Sequence, residues 1–377
     1  METALQNGYT ADDTAAPVSR AAWLLHVLQW APMVKGRTMN ALLKANRRNI
    51  VVIGASAGGI EALTALFAAL PHDSSASFFV VQHLSPNYAS QLDRILQAVT
   101  PMPVRFASDR QPIMPDTIYV AAPDRHLMIE GDSVRITRGP RESRARPAVD
   151  VLFRSAALAF GPRVIGVLLS GSLDDGTARL WQIKDRKGLV LVQDPGEAAY
   201  GSMPQSAIEH VDTDFIGTLG HLAARIAWEV AQDIPFPPVE PPRPGQQVEN
   251  QVALGDNGMQ AGVMNLGKVS KYTCPECHGV LVQIEEGRLV RFRCHTGHAY
   301  SLKSLLTEVN DAVDVSLWST VRAIEERILI LGQMAELADR NGQHEEAALL
   351  RAKAELAEQK CQPLRDLVLD TDFFAAD

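Results

Sequence analysis

Ile50-Val51-Val52-Ile53-Gly54-Ala55-Ser56-Ala57-Gly58-Gly59-Ile60 is an apolar run that breaks into a glycine-lined turn carrying one serine, with a helical pattern behind it. Four consecutive apolar residues suit a strand buried on both faces, and Ile60–Leu70 has helical spacing. A serine on such a corner presents its hydroxyl beyond the strand end, with backbone N–H groups converging beside it. Gly54-x-Ser56-x-Gly58 fits the G-x-S-x-G pattern of a nucleophile elbow. The same turn reads Gly54-x-Ser56-x-x-Gly59, a dinucleotide fingerprint whose second glycine is replaced. That glycine lets backbone approach a pyrophosphate, and a side chain obstructs it, so dinucleotide binding is the weaker reading.

Outward from this turn the alternation continues. Strands are expected at Ile50–Gly54, Phe78–His83, Ile118–Ala121, Val164–Ser170, Leu189–Gln193 and Phe215–Ile216. Helices are expected at Ile60–Leu70, Pro86–Val99 behind a Ser85 N-cap, Val149–Phe160, Thr177–Lys187 and Leu219–Ala231. Apolar strands separated by helices indicate an α/β fold with a doubly wound, mostly parallel sheet. Residues 125–138 read as an antiparallel hairpin around Gly131-Asp132.

The chain divides into five parts. Residues 1–46 lack a clear period and are read either as a disordered or partner-binding arm, or as a stretch upstream of a true start at Met39. Residues 47–233 form the α/β domain. Residues 234–270 are a proline-rich linker, from Pro235 to Pro244 and then a polar, flexible-looking stretch. Residues 271–300 form a small Cys/His module, and 301–372 a helical hairpin broken at Asn341-Gly342. Its stripes, Leu317, Val321, Ile324, Ile328 and Leu331, then Ala347, Leu350, Ala354 and Leu356, need a partner surface. The α/β domain and a second subunit, giving a homo-oligomer, both qualify.

Composition bounds the function. The formal net charge of −8 gives no global attraction to nucleic acid or membrane. The longest apolar run near the start, Ala21–Val34, is too short to span a bilayer and lacks signal-peptide flanks. A cytoplasmic protein is expected. Three of four cysteines cluster, which suits metal binding in a reducing compartment.

A serine nucleophile needs a base within hydrogen-bond reach and a group to orient that base. Functional residues of doubly wound sheets collect at strand carboxyl ends. His83 ends one strand, and Asp174 and Asp175 follow another. Each has a plainer reading: a turn serine, a strand-end histidine, a helix-capping aspartate. Together they supply three complementary chemistries, in an order unlike the Ser…Asp…His of α/β-hydrolases.

In the tail, Cys274-Pro275-Glu276-Cys277 and Cys294-His295-Thr296-Gly297-His298 have structural zinc spacing. Cys274, Cys277, Cys294 and His298 make a Cys₃His set, with His295 as the alternative fourth ligand. Val280–Ile284 and Leu289–Arg293 read as a hairpin around Glu286-Gly287. A module this small draws its folding energy from the metal. Cys361 reads as structural.

Residues 49–231 resemble the catalytic domain of the chemotaxis protein-glutamate methylesterases of the CheB type. The matching pieces are Ile53–Gly59, Val81-Gln82-His83, Ile118-Tyr119-Val120-Ala121 with Pro123, Arg146-Pro147-Ala148-Val149-Asp150, Leu169–Gly176 and Gly201-Ser202-Met203-Pro204. The resemblance implies Ser56 as nucleophile, His83 as general base and Asp175, directly before Gly176, as the residue orienting His83. It implies an oxyanion hole from the backbone N–H groups of Ala57 and Ser172, where the family usually has Thr and Met. It further implies hydrolysis of glutamyl γ-methyl esters on a chemoreceptor, with glutamine deamidation as a related reaction and no cofactor for catalysis. A zinc-ribbon-like tail occurs on some stand-alone relatives. Arg146 is the candidate substrate contact, while Arg138, Arg141 and Arg144 read first as a solvated loop. The 49 residues ahead of the first strand are too few for the family's receiver domain, so inhibition relieved by phosphorylation within this chain is not expected. The competing functions are a non-catalytic docking protein of a signalling array and a same-fold esterase or amidase on another target.

Overall fold

The computed structural model describes residues 46–374, apart from Pro237, Val239 and Arg288; the expectations for residues 1–45 lie outside the described residues. The first nine strands are β1 (Ile50–Ala55), β2 (Ser77–Gln82), β3 (Val104–Phe106), β4 (Thr117–Val120), β5 (His126–Glu130), β6 (Ser133–Thr137), β7 (Val164–Leu168), β8 (Leu189–Gln193) and β9 (Phe215–Gly217). Seven of them make one parallel sheet in the order β3-β4-β2-β1-β7-β8-β9, and β5–β6 form the expected antiparallel hairpin.

The helices of this part are α1 (Gly59–Ala69), α2 (Leu92–Gln97), α3 (Val149–Phe160), α4 (Thr177–Asp185), α5 (Ser202–His210) and α6 (Leu219–Ala231). Alternate residues of β1 serve opposite faces. Ile50 and Val52 meet α3, α4 and α5 through Leu152, Phe153, Ile183 and Ala207. Val51 and Ile53 meet α1, α2 and α6 through Leu66, Phe67, Leu96 and Ile226. Two apolar layers therefore cover the sheet, which is why its strands read as unbroken apolar runs.

β1 is the strand at which the winding reverses, with β2 on one side and β7 on the other. Such a reversal leaves a crevice beyond the carboxyl ends. Ser56, directly after β1, stands there.

Some boundaries differ from expectation. The helix expected over Pro86–Val99 is confined to Leu92–Gln97, and Ser90 rather than Ser85 accepts from its first N–H. Pro86-Asn87-Tyr88 offers no residue to the core (Tyr88 is 77% exposed), so nothing pulls it into a helix. α5 and β3 were not expected; the first is short and carries Pro204, and the second has three residues.

The stretch read as a flexible linker is ordered. It holds α7 (Pro244–Leu254) and α8 (Gly258–Ala261). Glu249 of α7 is buried among Arg179, Arg291 and Arg293, tertiary contacts that composition does not reveal. The Cys/His module is a four-stranded antiparallel sheet of β10 (Lys268–Thr273), β11 (Val280–Glu286), β12 (Leu289–Cys294) and β13 (Ala299–Ser301). β11 and β12 are the expected hairpin; β10 and β13 extend it.

α9 (Leu302–Arg340) and α10 (His344–Leu369) close the chain as packed helices. Ala335, Ala338, Ala347 and Leu350 form their seam. Leu356, placed in the stripe by sequence, is instead 55% exposed. No helix among the described residues is long and apolar enough to cross a membrane.

Candidate active site

The elbow is built by glycine where backbone must come close. Gly58 carries the left-handed backbone of the turn, with φ +68, and Ser56 is not among the residues with positive φ. The strain of the corner thus rests on a residue without a Cβ. A Cβ at Gly171 falls 2.9 Å from that of Ser56 and 2.4 Å from Met203 Cε, so only glycine lets the β7 loop pass beside the hydroxyl. The turn is tied down by Ser56 N–H donating to Ser170 O at 2.9 Å and by the Gln82 amide donating to Ser56 O at 2.7 Å.

His83 follows β2, its N–H donating to Ala55 O of β1. Its Nδ1 lies 3.0 Å from Ser56 Oγ and its Nε2 lies 2.8 Å from Asp175 Oδ2. A carboxylate accepts only, so the proton of the neutral ring belongs on Nε2, and the Nδ1 lone pair faces the serine hydroxyl. Asp175, buried, also accepts from Val149 N–H at 2.7 Å and from Asp150 N–H at 3.1 Å. These are the first N–H groups of α3, so the helix start and its dipole hold the acid that holds the histidine. Asp174 faces away, accepting from Ser301 Oγ at 2.8 Å. The structure brings Ser56, His83 and Asp175 into one hydrogen-bonded chain and leaves Asp174 outside it.

The Ala57 and Ser172 N–H groups have no protein acceptor among the described residues. Both belong to loops bordering Ser56. The serine opens into a cleft of about 400 Å³ lined also by His83, Leu84, Arg141, Arg144, Arg146 and Ser172. Arg146 is pinned by Asp124 at 2.7 Å and by Gly139 O at 3.0 Å. Arg144, expected to be solvated, instead pairs with Glu308 and Asp311 of α9.

Sequence reading passed over the role of Asp150. Its Oδ1 accepts from Gly176 N–H at 3.1 Å while its own N–H donates to Asp175, a reciprocal lock on the acid. The signal available was its place in the second position of a helix following a proline. His126 was also missed; buried, it is pushed down to about 4 and bridges Ala148 N–H and Pro140 O.

In the tail, Cys274, Cys277, Cys294 and His298 offer ligand atoms all within 4.8 Å of one another. Cys277 Sγ is 3.5 Å from Cys294 Sγ, and His298 Nδ1 is 3.6 Å from both Cys274 Sγ and Cys294 Sγ. Donors at the corners of a zinc tetrahedron stand about 3.5–3.8 Å apart, so the four fit a metal ion. His298 Nε2 faces Glu276 at 3.3 Å, an outer partner that fixes the ring. The His295 ring packs against Gly279, outside the four.

Residues 51–226 match the family model described as CheB methylesterase. A Leptospira interrogans protein provisionally named protein-glutamate methylesterase/protein-glutamine glutaminase is 36% identical over 174 residues, 46% of this chain and 90% of that protein. A Methanosarcina mazei protein-glutamate methylesterase/protein-glutamine glutaminase 2 is 33% identical over 191 residues, 48% of this chain and 52% of that protein. The chain therefore spans nearly all of the first relative it matches and about half of the second. A crystal structure of the Thermotoga maritima CheB methylesterase catalytic domain is similar at 29% identity and a TM-score of 0.46, covering 48% of this chain and 97% of that one.

Proposed function

The chain belongs to the CheB methylesterase family, and from that premise we propose that it hydrolyses glutamyl γ-methyl esters on a methylated chemoreceptor, releasing methanol. Glutamine deamidation follows from the same acyl chemistry with ammonia as leaving group. The observation that carries the reading is the chain Ser56 Oγ–His83–Asp175 at the reversal point of the sheet.

In this mechanism Ser56 Oγ attacks the ester carbonyl as its proton passes to His83 Nδ1. Asp175 accepts from Nε2–H and steadies the imidazolium. The oxyanion rests on the N–H groups of Ala57 and Ser172, which have no other protein acceptor among the described residues. His83 returns its proton to the departing methoxide. Water, deprotonated by the same nitrogen, then cleaves the acyl-enzyme and restores Ser56. Arg146, fixed by Asp124 and lining the cleft, is assigned to contact the acidic surface of the receptor.

We assign the Cys₃His set to a structural zinc, which takes no part in the reaction. The four cysteines are unbridged, in keeping with a reducing, cytoplasmic setting. Methanol release from methylated receptor tests the function. Ser56→Ala is expected to lower it by about 10³-fold or more. Release that is absent in the wild type, or equal in the variant, overturns the proposal.

A further inference from the structure

The segment 139–146 forms one wall of the serine's cleft, contributing Arg141, Ser143, Arg144, Ala145 and Arg146. Its attachments lead to the Cys/His module. Ser143 N–H donates to Ala299 O at 2.8 Å, and Ala299 N–H donates to Arg141 O at 3.2 Å. Between them Glu142, 2% exposed, lies between Arg154 of α3 at 2.7 Å and Arg293 of β12 at 3.0 Å. Those two guanidiniums hold its carboxyl far below the usual carboxylate range. Pro140 packs so closely on Gly297 that a Cβ there falls 2.8 Å from its ring.

These contacts share a location. Arg293 precedes the ligand Cys294, and Gly297 and Ala299 flank the ligand His298. Arg293, itself fully buried, also donates to Gly297 O at 2.7 Å and so ties the two ligand segments together. The core of the module is small, with Leu281, Phe292, Tyr300 and Leu305 around Cys274 and Cys294. A core of that size does not hold three thiols and an imidazole together without a metal.

We infer that Arg293 is a positioning residue for the catalytic cleft: through Glu142 and the adjoining backbone bonds it transmits the order of the Cys₃His site to the wall over Ser56. The two arms of Glu142 differ in kind. Arg154 stands on the α/β domain and remains when the module loosens, whereas Arg293, beside the ligand Cys294 and bonded to Gly297 O, has only its bond to Glu249 to hold it when the metal ligands move. Loss of the metal therefore frees the wall from one side while the triad, built from β1, β2, β7 and α3, keeps its geometry. Substrate positioning fails before chemistry does.

Amide hydrogen exchange on the full chain tests this, comparing metal-loaded, chelator-stripped and Arg293→Gln proteins. The expected result is loss of protection at 139–146 in the last two, with β1 and β7 as protected as before. Its kinetic arm rests on the esterase reading. KM for methylated receptor should rise by about tenfold or more, while hydrolysis of a small activated ester changes by less than about threefold. Protection of 139–146 that survives stripping, or that is found in protein carrying no metal, overturns the inference. Protection lost from β1 and β7 as well also overturns it, because the metal then holds the whole chain rather than the wall. A loaded wild type without esterase activity but with the expected exchange pattern removes the esterase reading and leaves this inference standing.

Discussion

At the residue scale the site is a hydrogen-bonded chain in which each polar group has a fixed neighbour, and Asp150 is the member whose ionisation burial opposes. Burial pushes Asp150 up to about 7, helped by the charge of Asp175 and by Glu142, against the pull of Arg179 and Arg291. An unfolded aspartate ionises near about 3.9, so between that pH and about 7 the folded state holds the extra proton. Stability attributable to this group is therefore present at low pH and falls as pH rises through that window. Asp150→Asn keeps an acceptor for Gly176 N–H but cannot ionise. Urea unfolding at about pH 5 and about pH 7.5 should show the wild type losing more stability across the interval than the variant. Equal losses contradict the assignment. That Ser56, His83 and one of Asp174 and Asp175 would meet was legible from the strand ends of this class of fold, and the preference for Asp175 came from the family resemblance around Asp175-Gly176. Asp150 was not, because its role depends on the Gly176 peptide, 26 residues away.

At the element scale the start of α3 sets the site. It delivers two N–H groups to Asp175 only because the helix seats closely on β1. A Cβ at Gly54 falls 2.3 Å from Val149 Cγ1, so any side chain there lifts the helix start away. Gly54→Val should cost about 1–3 kcal/mol of stability in urea unfolding, as overpacking does. It should also lower kcat by more than KM rises, since it disturbs the acid rather than the cleft. A variant with wild-type kcat argues that Asp175 does not depend on α3. Most elements of the α/β domain could be read from apolar runs and their spacing. α7 could not, since its anchor is the burial of Glu249, and a polar stretch after six prolines gives no local sign of that. His298 was favoured over His295 as the fourth ligand because adjacent residues seldom both point at one ion, and His298 is the one that joins the cluster.

At the scale of the whole molecule, one buried carboxylate joins three parts of the chain. Glu249 of α7 receives Arg179 from the α/β domain and Arg291 and Arg293 from the Cys/His module. Removing one partner of a buried ionic cluster costs about 3–5 kcal/mol, because the remaining charges stay desolvated. Glu249→Ala should lose about that much, and should split a single thermal transition in calorimetry into two, the module melting first. A single transition at the wild-type temperature contradicts a joining role for Glu249. The helical hairpin reads differently from its sequence stripe. Its seam is satisfied by its own two helices, while Leu329, Ile330 and Leu337 remain exposed.

The central claim, that His83 activates Ser56, is tested most directly by mass spectrometry after treatment with a serine-reactive organophosphonate. A single adduct located on Ser56 is expected, formed about 10³-fold more slowly in His83→Ala. An unmodified Ser56 in the wild type, or labelling at the same rate in His83→Ala, contradicts it.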